Sequence, residues 1–458
     1  MRIAAISLFA TFVGSQAIAE TGLGRDGARF TYDGKPVYLV GFDTQELACH
    51  PSLDYERALD EFVQAGVNKT RVWVYCWFGT TRFNALTPWL RDAQGRHDLD
   101  QWDPQYWQRL RQVIAAAEQR RIVVEVTIFA PYPSSPGYWW SDPEFRNAWN
   151  RDFNINGAFS ANADGHFYPQ FFDLTHSENG KRLYDYQYAL VAKTIAELGR
   201  FTNVYFEIAN EFAMENVAAP AGGIDQVHAW QQHWAATAKK LGARMVAVHA
   251  DSDGQGGGAQ HFNRRRAVDV LNFRLHKVAP EEIAQRLEAL RKSGKAIAIN
   301  ESVDYRQDVE QATRYAWGML LAGGYFAAYE DKAEQIGSAA WRDMARRLSV
   351  LRQLAEASGV AGTVPKVDGG VKLVGRSATE ATLVAGPDGR ALGYFARPGN
   401  GEPITVMLPR GPHRYMWYDV RDGQVLSEGT VAGGSRTGIA LPQPWPGSSG
   451  AALLIRRG

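Results

Sequence analysis

The chain has 458 residues, with 50 Lys and Arg against 49 Asp and Glu for a net charge of +1. That length exceeds one ordinary compact core and points to two domains. Near-neutral charge without a basic stripe excludes nucleic acid as a partner, because phosphate neutralisation needs clustered Lys and Arg.

The first residues read as an export signal. Arg2 supplies positive charge, Ile3 to Val13 is an apolar run, and Ala17-Ile18-Ala19 has the small-x-small pattern of a cleavage site. Residues 1–19 are therefore set apart as a signal peptide, cleaved after about Ala19, and the protein is expected to be secreted or periplasmic. The run is too short for a stable membrane anchor. Cys49 and Cys76 are the two cysteines. In an oxidising compartment they can close a disulfide, though two unpaired buried thiols remain an alternative. Two cysteines alone cannot make a tetrahedral zinc site.

From about residue 36 to 358, short apolar runs alternate with amphipathic helical patterns. Val37 to Gly41 reads as a strand, followed by a helix from Leu53 to Ala65 that Gly66 stops. Asn68 to Trp77 is the second strand. Asp103 and Pro104 open the next helix as N-cap and first-turn proline, with Trp107, Leu110 and Ile114 at helical spacing. Ile122 to Phe129 is the third strand, and the segment of about Pro131 to Asp173 after it is too long for a simple connection. Gly180 to Leu198 is a helix, Asn203 to Ile208 the fourth strand and Val227 to Leu241 a helix. Met245 to His249 is the fifth strand, and a glycine-rich loop, Gly254 to Gly258, leads to a sixth from Val268 to Leu275. Helix Pro280 to Ser293, strand Ala296 to Ile299, helix Val309 to Leu321, strand Tyr325 to Tyr329 and helix Ala339 to Ala357 complete the series. Eight strands separated mostly by helices predict a (β/α)8 TIM barrel over residues 20–358. A doubly wound sheet is the competing architecture, but Gly41-Phe42-Asp43-Thr44 is no dinucleotide fingerprint.

Residues 359–368 read as a linker, and residues 369–458 change character. Thr382 to Val384, Leu392 to Ala396, Ile404 to Leu408, Tyr415 to Val420 and Ala451 to Ile455 are short β runs separated by turn residues. They predict a small antiparallel β-sandwich domain.

Catalytic groups of a TIM barrel sit at the C-terminal ends of its strands. Two apolar strands end in carboxylates there: Asn203 to Ile208 leads to Asn210-Glu211, and Ala296 to Ile299 leads to Asn300-Glu301. Two glutamates at two strand ends can converge over one barrel axis. Cleaving a glycosidic bond with retention needs such a pair about 5–5.5 Å apart, one neutral and one ionised. Glu207 also lies on the fourth strand and reads as a structural carboxylate paired to an arginine.

The strand-then-Asn-Glu pattern resembles the acid/base signature of clan A retaining glycoside hydrolases, in their family 5 cellulase-like and apiosidase-like groups. The strand count agrees, with Asn210-Glu211 after the fourth strand and Glu301 after the seventh. The resemblance implies that Glu211 is the acid/base, that Glu301 is the nucleophile and that Asn210 bonds a sugar 2-hydroxyl. It further implies that Arg71 supports the nucleophile and that His276 lies near it. Many clan members carry a Trp at the end of the eighth strand, where this chain has Tyr329-Glu330. Trp77, Trp139, Trp140 and Tyr329 are candidate sugar-stacking residues. Trp139, Trp140, Trp149, Tyr132 and Tyr138 share the long third connection, and each could equally pack beneath it. The implied partner is a carbohydrate and no cofactor is expected. His249, Asp251 and Asp253 imitate a metal cluster, but the strand-one His-x-His of barrel metal hydrolases is missing, so no metal site is expected. A noncatalytic polysaccharide-binding protein on the same fold and a metal-dependent barrel hydrolase are the alternatives. Oligomeric state is not legible.

Overall fold

The computed structural model describes residues 21–76, 79–130, 143–160, 169–210, 223–251, 259–262, 264–273, 282–300, 304–330, 332–361, 372–374, 381–386, 389–396, 403–434, 439–441 and 450–458. Eight parallel strands form a closed barrel in chain order. They are β1 (Val40–Thr44), β2 (Lys69–Trp73), β3 (Val123–Phe129), β4 (Val204–Ala209), β5 (Val246–Asp251), β6 (Val270–Phe273), β7 (Ala296–Ile299) and β8 (Tyr325–Glu330). β8 pairs with β1 to close the ring.

Helices α1 (Tyr55–Ala65), α2 (Pro104–Gln119), α3 (Leu183–Leu198), α4 (Gly223–Lys240), the single-turn α5 (Ala259–Phe262), α6 (Ile283–Arg291), α7 (Val309–Leu321) and α8 (Ala339–Ser358) intervene between strands or follow the last. Their ends are set locally. The Asp54 carboxylate accepts from the Arg57 amide at the start of α1, and Gly66 stops that helix at φ 75°, a left-handed conformation that glycine adopts without strain. Asp103 caps α2 ahead of Pro104. Ser338 opens α8 and Gly359 closes it.

Strand alternation divides polar from apolar. Phe42 of β1 points outward and packs on Phe62 of α1 and Trp341 of α8, whereas its neighbour Asp43 points into the barrel and meets Arg71. This explains why the paired strand is Val40–Thr44 rather than the apolar run Val37 to Gly41. A polar interior makes the strand's upper half look unlike a strand. Tyr38 and Leu39 instead join the packing below it. There Phe30, from an N-terminal hairpin (Leu23–Asp26 with Arg29–Tyr32), fills the barrel floor against Tyr205 and Tyr325.

The C-terminal region is a sandwich. A five-stranded antiparallel sheet comprises β10 (Ala381–Ala385), β11 (Ala391–Phe395), β13 (Gly411–Asp419), β14 (Val425–Gly433) and β16 (Ala451–Arg457), in the order β10-β11-β16-β13-β14. It faces a three-stranded sheet of β9 (Lys372–Val374), β12 (Ile404–Met407) and β15 (Ile439–Leu441). Phe395, Trp417, Leu453 and Ile455 from the first meet Ile404 and Val406 from the second. The other face of the larger sheet packs on the barrel: Tyr394 stacks on Trp317 of α7, and Leu392, Val420 and Leu454 belong to the barrel's own hydrophobic core. Val360 and Ala361, read as the head of a linker, are buried in that shared core. Residues 362–368 of the linker lie outside the described residues, as do residues 1–19.

Candidate active site

The barrel's interior above the aromatic floor is ionic. Arg71 of β2 lies in register between Asp43 and Glu125 on its neighbouring strands. Its Nη1 donates to Asp43 Oδ2 at 2.9 Å. Nε and Nη2 donate to Glu207 Oε2 of β4 at 3.1 and 2.6 Å, and Nη2 also donates to Asn210 Oδ1 at 2.5 Å. Thr127 donates to the same Glu207 oxygen at 2.6 Å. Glu207 is thus the arginine-paired carboxylate the sequence suggests.

One layer away, Lys69 Nζ sits 2.8 Å from Glu125 Oε2 and donates to Asn300 Oδ1 at 2.6 Å. The Asn300 amide donates to Glu125 Oε1 at 2.8 Å. Asn272 of β6 bridges the two glutamates, donating to Glu125 and, at 2.8 Å, to Glu207. Arg71, Asp43, Glu125 and Glu207 are all fully buried, and such charges are tolerated only when paired and hydrogen-bonded.

The two glutamates are pushed apart. Burial raises Glu207, with Glu125 acting in the same direction and Arg71 opposing. Burial also works against ionised Glu125, but Lys69 and then Arg71 overcome it and hold that carboxyl below the usual range.

This network fixes the ends of two strands at once. Asn210 follows β4 and Asn300 follows β7, and both are buried with side-chain amides tied into it. The Asn210 Nδ2 donor has no partner among the described residues. The next residues, Glu211 and Glu301, lie outside the described residues, as do Trp77, Trp139, Trp140, His276, Tyr132, Tyr138 and Asp253.

Tyr329 is half-buried and sits in register beside Asp43, so its side chain faces the barrel axis at the mouth. Its neighbour Glu330 is buried and turned to the other face. It accepts from Tyr305 and, at 3.3 Å, from Arg306. Those two residues follow Glu301 in sequence, so Glu330 braces the segment leaving β7. Cys49, after β1, and Cys76, after β2, are joined by a disulfide across the same rim.

Trp149 is no sugar platform. It is fully buried and packs edge-on to Trp89, Phe159 and Phe171, so the core reading of that residue holds. His249 is a buried residue of β5 whose backbone is clasped by Gln231.

Asp43, Lys69, Glu125, Asn272 and Asn300 join this network without having been singled out from sequence. The available signal is a polar residue inside an otherwise apolar strand, as in Val123-Val-Glu-Val-Thr-Ile-Phe129 and Val270-Leu-Asn-Phe273. A second signal is the repeat of Asn-Glu at both strand ends.

No family model matches the chain, and no curated protein matches it in sequence. Solved structures do match. A glycoside hydrolase family 5 protein from Bacteroides vulgatus ATCC 8482 superposes with a TM-score of 0.64 at 13% identity, covering 95% of this chain and 93% of that one. Another glycoside hydrolase gives 0.64 at 12% identity, over 96% and 97%. A GH30 endoxylanase from Clostridium papyrosolvens C71 gives 0.53 at 11% identity, over 92% and 97%. Likeness at these identities concerns architecture, and it spans both domains: the chain has the fold of glycoside hydrolases, a (β/α)8 barrel with a C-terminal β domain.

Proposed function

We propose that the chain is a secreted or periplasmic retaining glycoside hydrolase acting on an oligo- or polysaccharide, with Glu211 as acid/base and Glu301 as nucleophile. One observation carries this reading. Asn210 and Asn300, each one residue ahead of a glutamate, are anchored by a single buried ion network at the ends of β4 and β7. Strand ends held so firmly suit two carboxyl groups that must keep a fixed spacing through a two-step reaction. The fold shared with glycoside hydrolases supports the same reading, and the Cys49–Cys76 disulfide suits an oxidising compartment.

In this mechanism Glu301 attacks the anomeric carbon while Glu211 protonates the departing oxygen. Glu211 then takes a proton from water, which displaces Glu301 from the glycosyl-enzyme with net retention. In this reading the Asn210 amide donor, which has no partner among the described residues, bonds a sugar hydroxyl beside the reacting centre. Tyr329 offers a ring at the mouth. No cofactor enters the scheme.

The test is a screen of aryl glycosides and polysaccharides, followed by NMR of the first-formed anomer on whichever substrate is cleaved. Retention is expected. Glu301→Ala should lose nearly all turnover and regain part of it with azide. An inverted product, or a Glu301→Ala variant with wild-type rates, refutes the assignment. Glycan binding without release of reducing ends identifies a noncatalytic binding protein instead.

A further inference from the structure

Outside the Arg71 network, Asp225, His228 and His261 bring three ligand atoms within 4.8 Å of one another. Asp225 and His228 lie three residues apart at the start of α4 and so share a helix face. His261 comes from α5, in the connection after β5. Helices of a parallel barrel return against its strands. The first turns of α4 and the β5–α5 connection therefore both lie at the end of the barrel that carries Asn210 and Asn300.

The cluster is more than an exposed ion pair. His228 is only 2% exposed, and neither of its ring nitrogens has a well-formed hydrogen bond among the described residues. The Ala250 backbone gives it a marginal contact. Its ring lies 4.4 Å from that of His261, whose Nε2 is 3.3 Å from Asp225 Oδ1. A buried imidazole without a firm partner is costly, and a cation shared with His261 and Asp225 removes that cost for His228.

The spacing suits such an ion. Ligand atoms at 2.0–2.1 Å on a tetrahedron stand roughly 3.3 Å apart, which is the Asp225–His261 separation, and small side-chain rotations bring the third atom into the same range. Two imidazoles with one carboxylate favour zinc-type cations over calcium or magnesium, which prefer all-oxygen shells.

We propose that Asp225, His228 and His261 form a binding site for a zinc-type divalent cation, which clamps the start of α4 to the connection after β5. Water completes the coordination. The ion acts as a rim clasp and takes no part in glycoside cleavage.

The test uses the full exported chain, stripped with EDTA and titrated with zinc chloride by calorimetry, with thermal melting of the same samples. One equivalent should bind, with a Tm increase of several degrees. Asp225 and His261 are the more exposed ligands, so Asp225→Asn and His261→Ala should fold. Each should weaken zinc binding about ten-fold or more and abolish the Tm increase. His228→Gln should do the same. Unchanged zinc stoichiometry and Tm response in Asp225→Asn and His261→Ala would overturn the site, as would tighter binding of calcium or magnesium than of zinc. Neither readout involves cleavage of a glycoside, so failure here is distinguishable from failure of the proposed reaction.

Discussion

The barrel and the sandwich exclude water equally well but fill their interiors in opposite ways. Above its aromatic floor the barrel buries Lys69, Arg71, Asp43, Glu125 and Glu207. The sandwich buries Phe395, Trp417, Leu453 and Ile455 against Ile404 and Val406. Ions in a low-dielectric space are worth little for stability compared with well-packed hydrocarbon. They are valuable where backbone ends must be held in register around a reaction. Under the proposed function, the contrast separates a region arranged for chemistry from one arranged for support.

That contrast can be broken or sharpened by substitution. The largest effect is expected for Arg71→Met, which takes from buried Asp43 and Glu207 the guanidinium that bonds both. It should cost about 3–5 kcal/mol in chemical denaturation and remove turnover in whatever remains folded. If Arg71→Met melts and turns over like the parent chain, the network does not organise the site.

Opening the disulfide should come next. Cys49→Ser with Cys76→Ser releases a loop of 27 residues, at a cost of about 3 kcal/mol, and reductant should mimic the double variant.

Acid should weaken the rim through His97, which is buried beside Tyr75 and the Arg146 carbonyl. Burial, helped by Arg91, depresses its pKa from 6.5 to about 3. The fold favours the neutral ring, so this contribution is intact above pH 6.5 and is lost as pH falls toward 3. The loss is up to about 1.4 kcal/mol per pH unit. His97→Gln should flatten that limb of a stability–pH curve; an unchanged slope would assign the acid sensitivity to other groups, such as buried His228 or the carboxylates.

The smallest effect is expected in the sandwich. Ile455→Val should cost about 1 kcal/mol in stability and leave the turnover of folded protein unaltered. A loss of turnover there would show that the sandwich shapes the site.

Most of the barrel was legible because its helices carry capped, periodic signals and β3, β4 and β7 are apolar runs. What escaped follows from the ionic interior. Asp43 and Thr44 moved β1 three residues along the chain from the apolar run. Glu125 and Asn272 are polar residues in largely apolar strands and suggest no partner until the ring closes. The strand Val425–Gly433 escaped because it is largely exposed and lacks an apolar run. Asn210 was singled out through its neighbour Glu211, whereas Asn300 has the same relation to Glu301 and was not singled out. The aromatic residues after β3 were ambiguous, since Trp149 shows that a tryptophan there can be entirely interior.

The stacked pair Trp317 and Tyr394 bears on how such a chain could be recombined. A barrel excised after α8 would expose the ring of Trp317 and the greasy flank around it. A sandwich moved to another scaffold would carry Tyr394, Leu392 and Leu454 into water. Shuffling in evolution or in the laboratory should therefore succeed only when the two halves travel together, or when the new neighbour supplies a matching aromatic face.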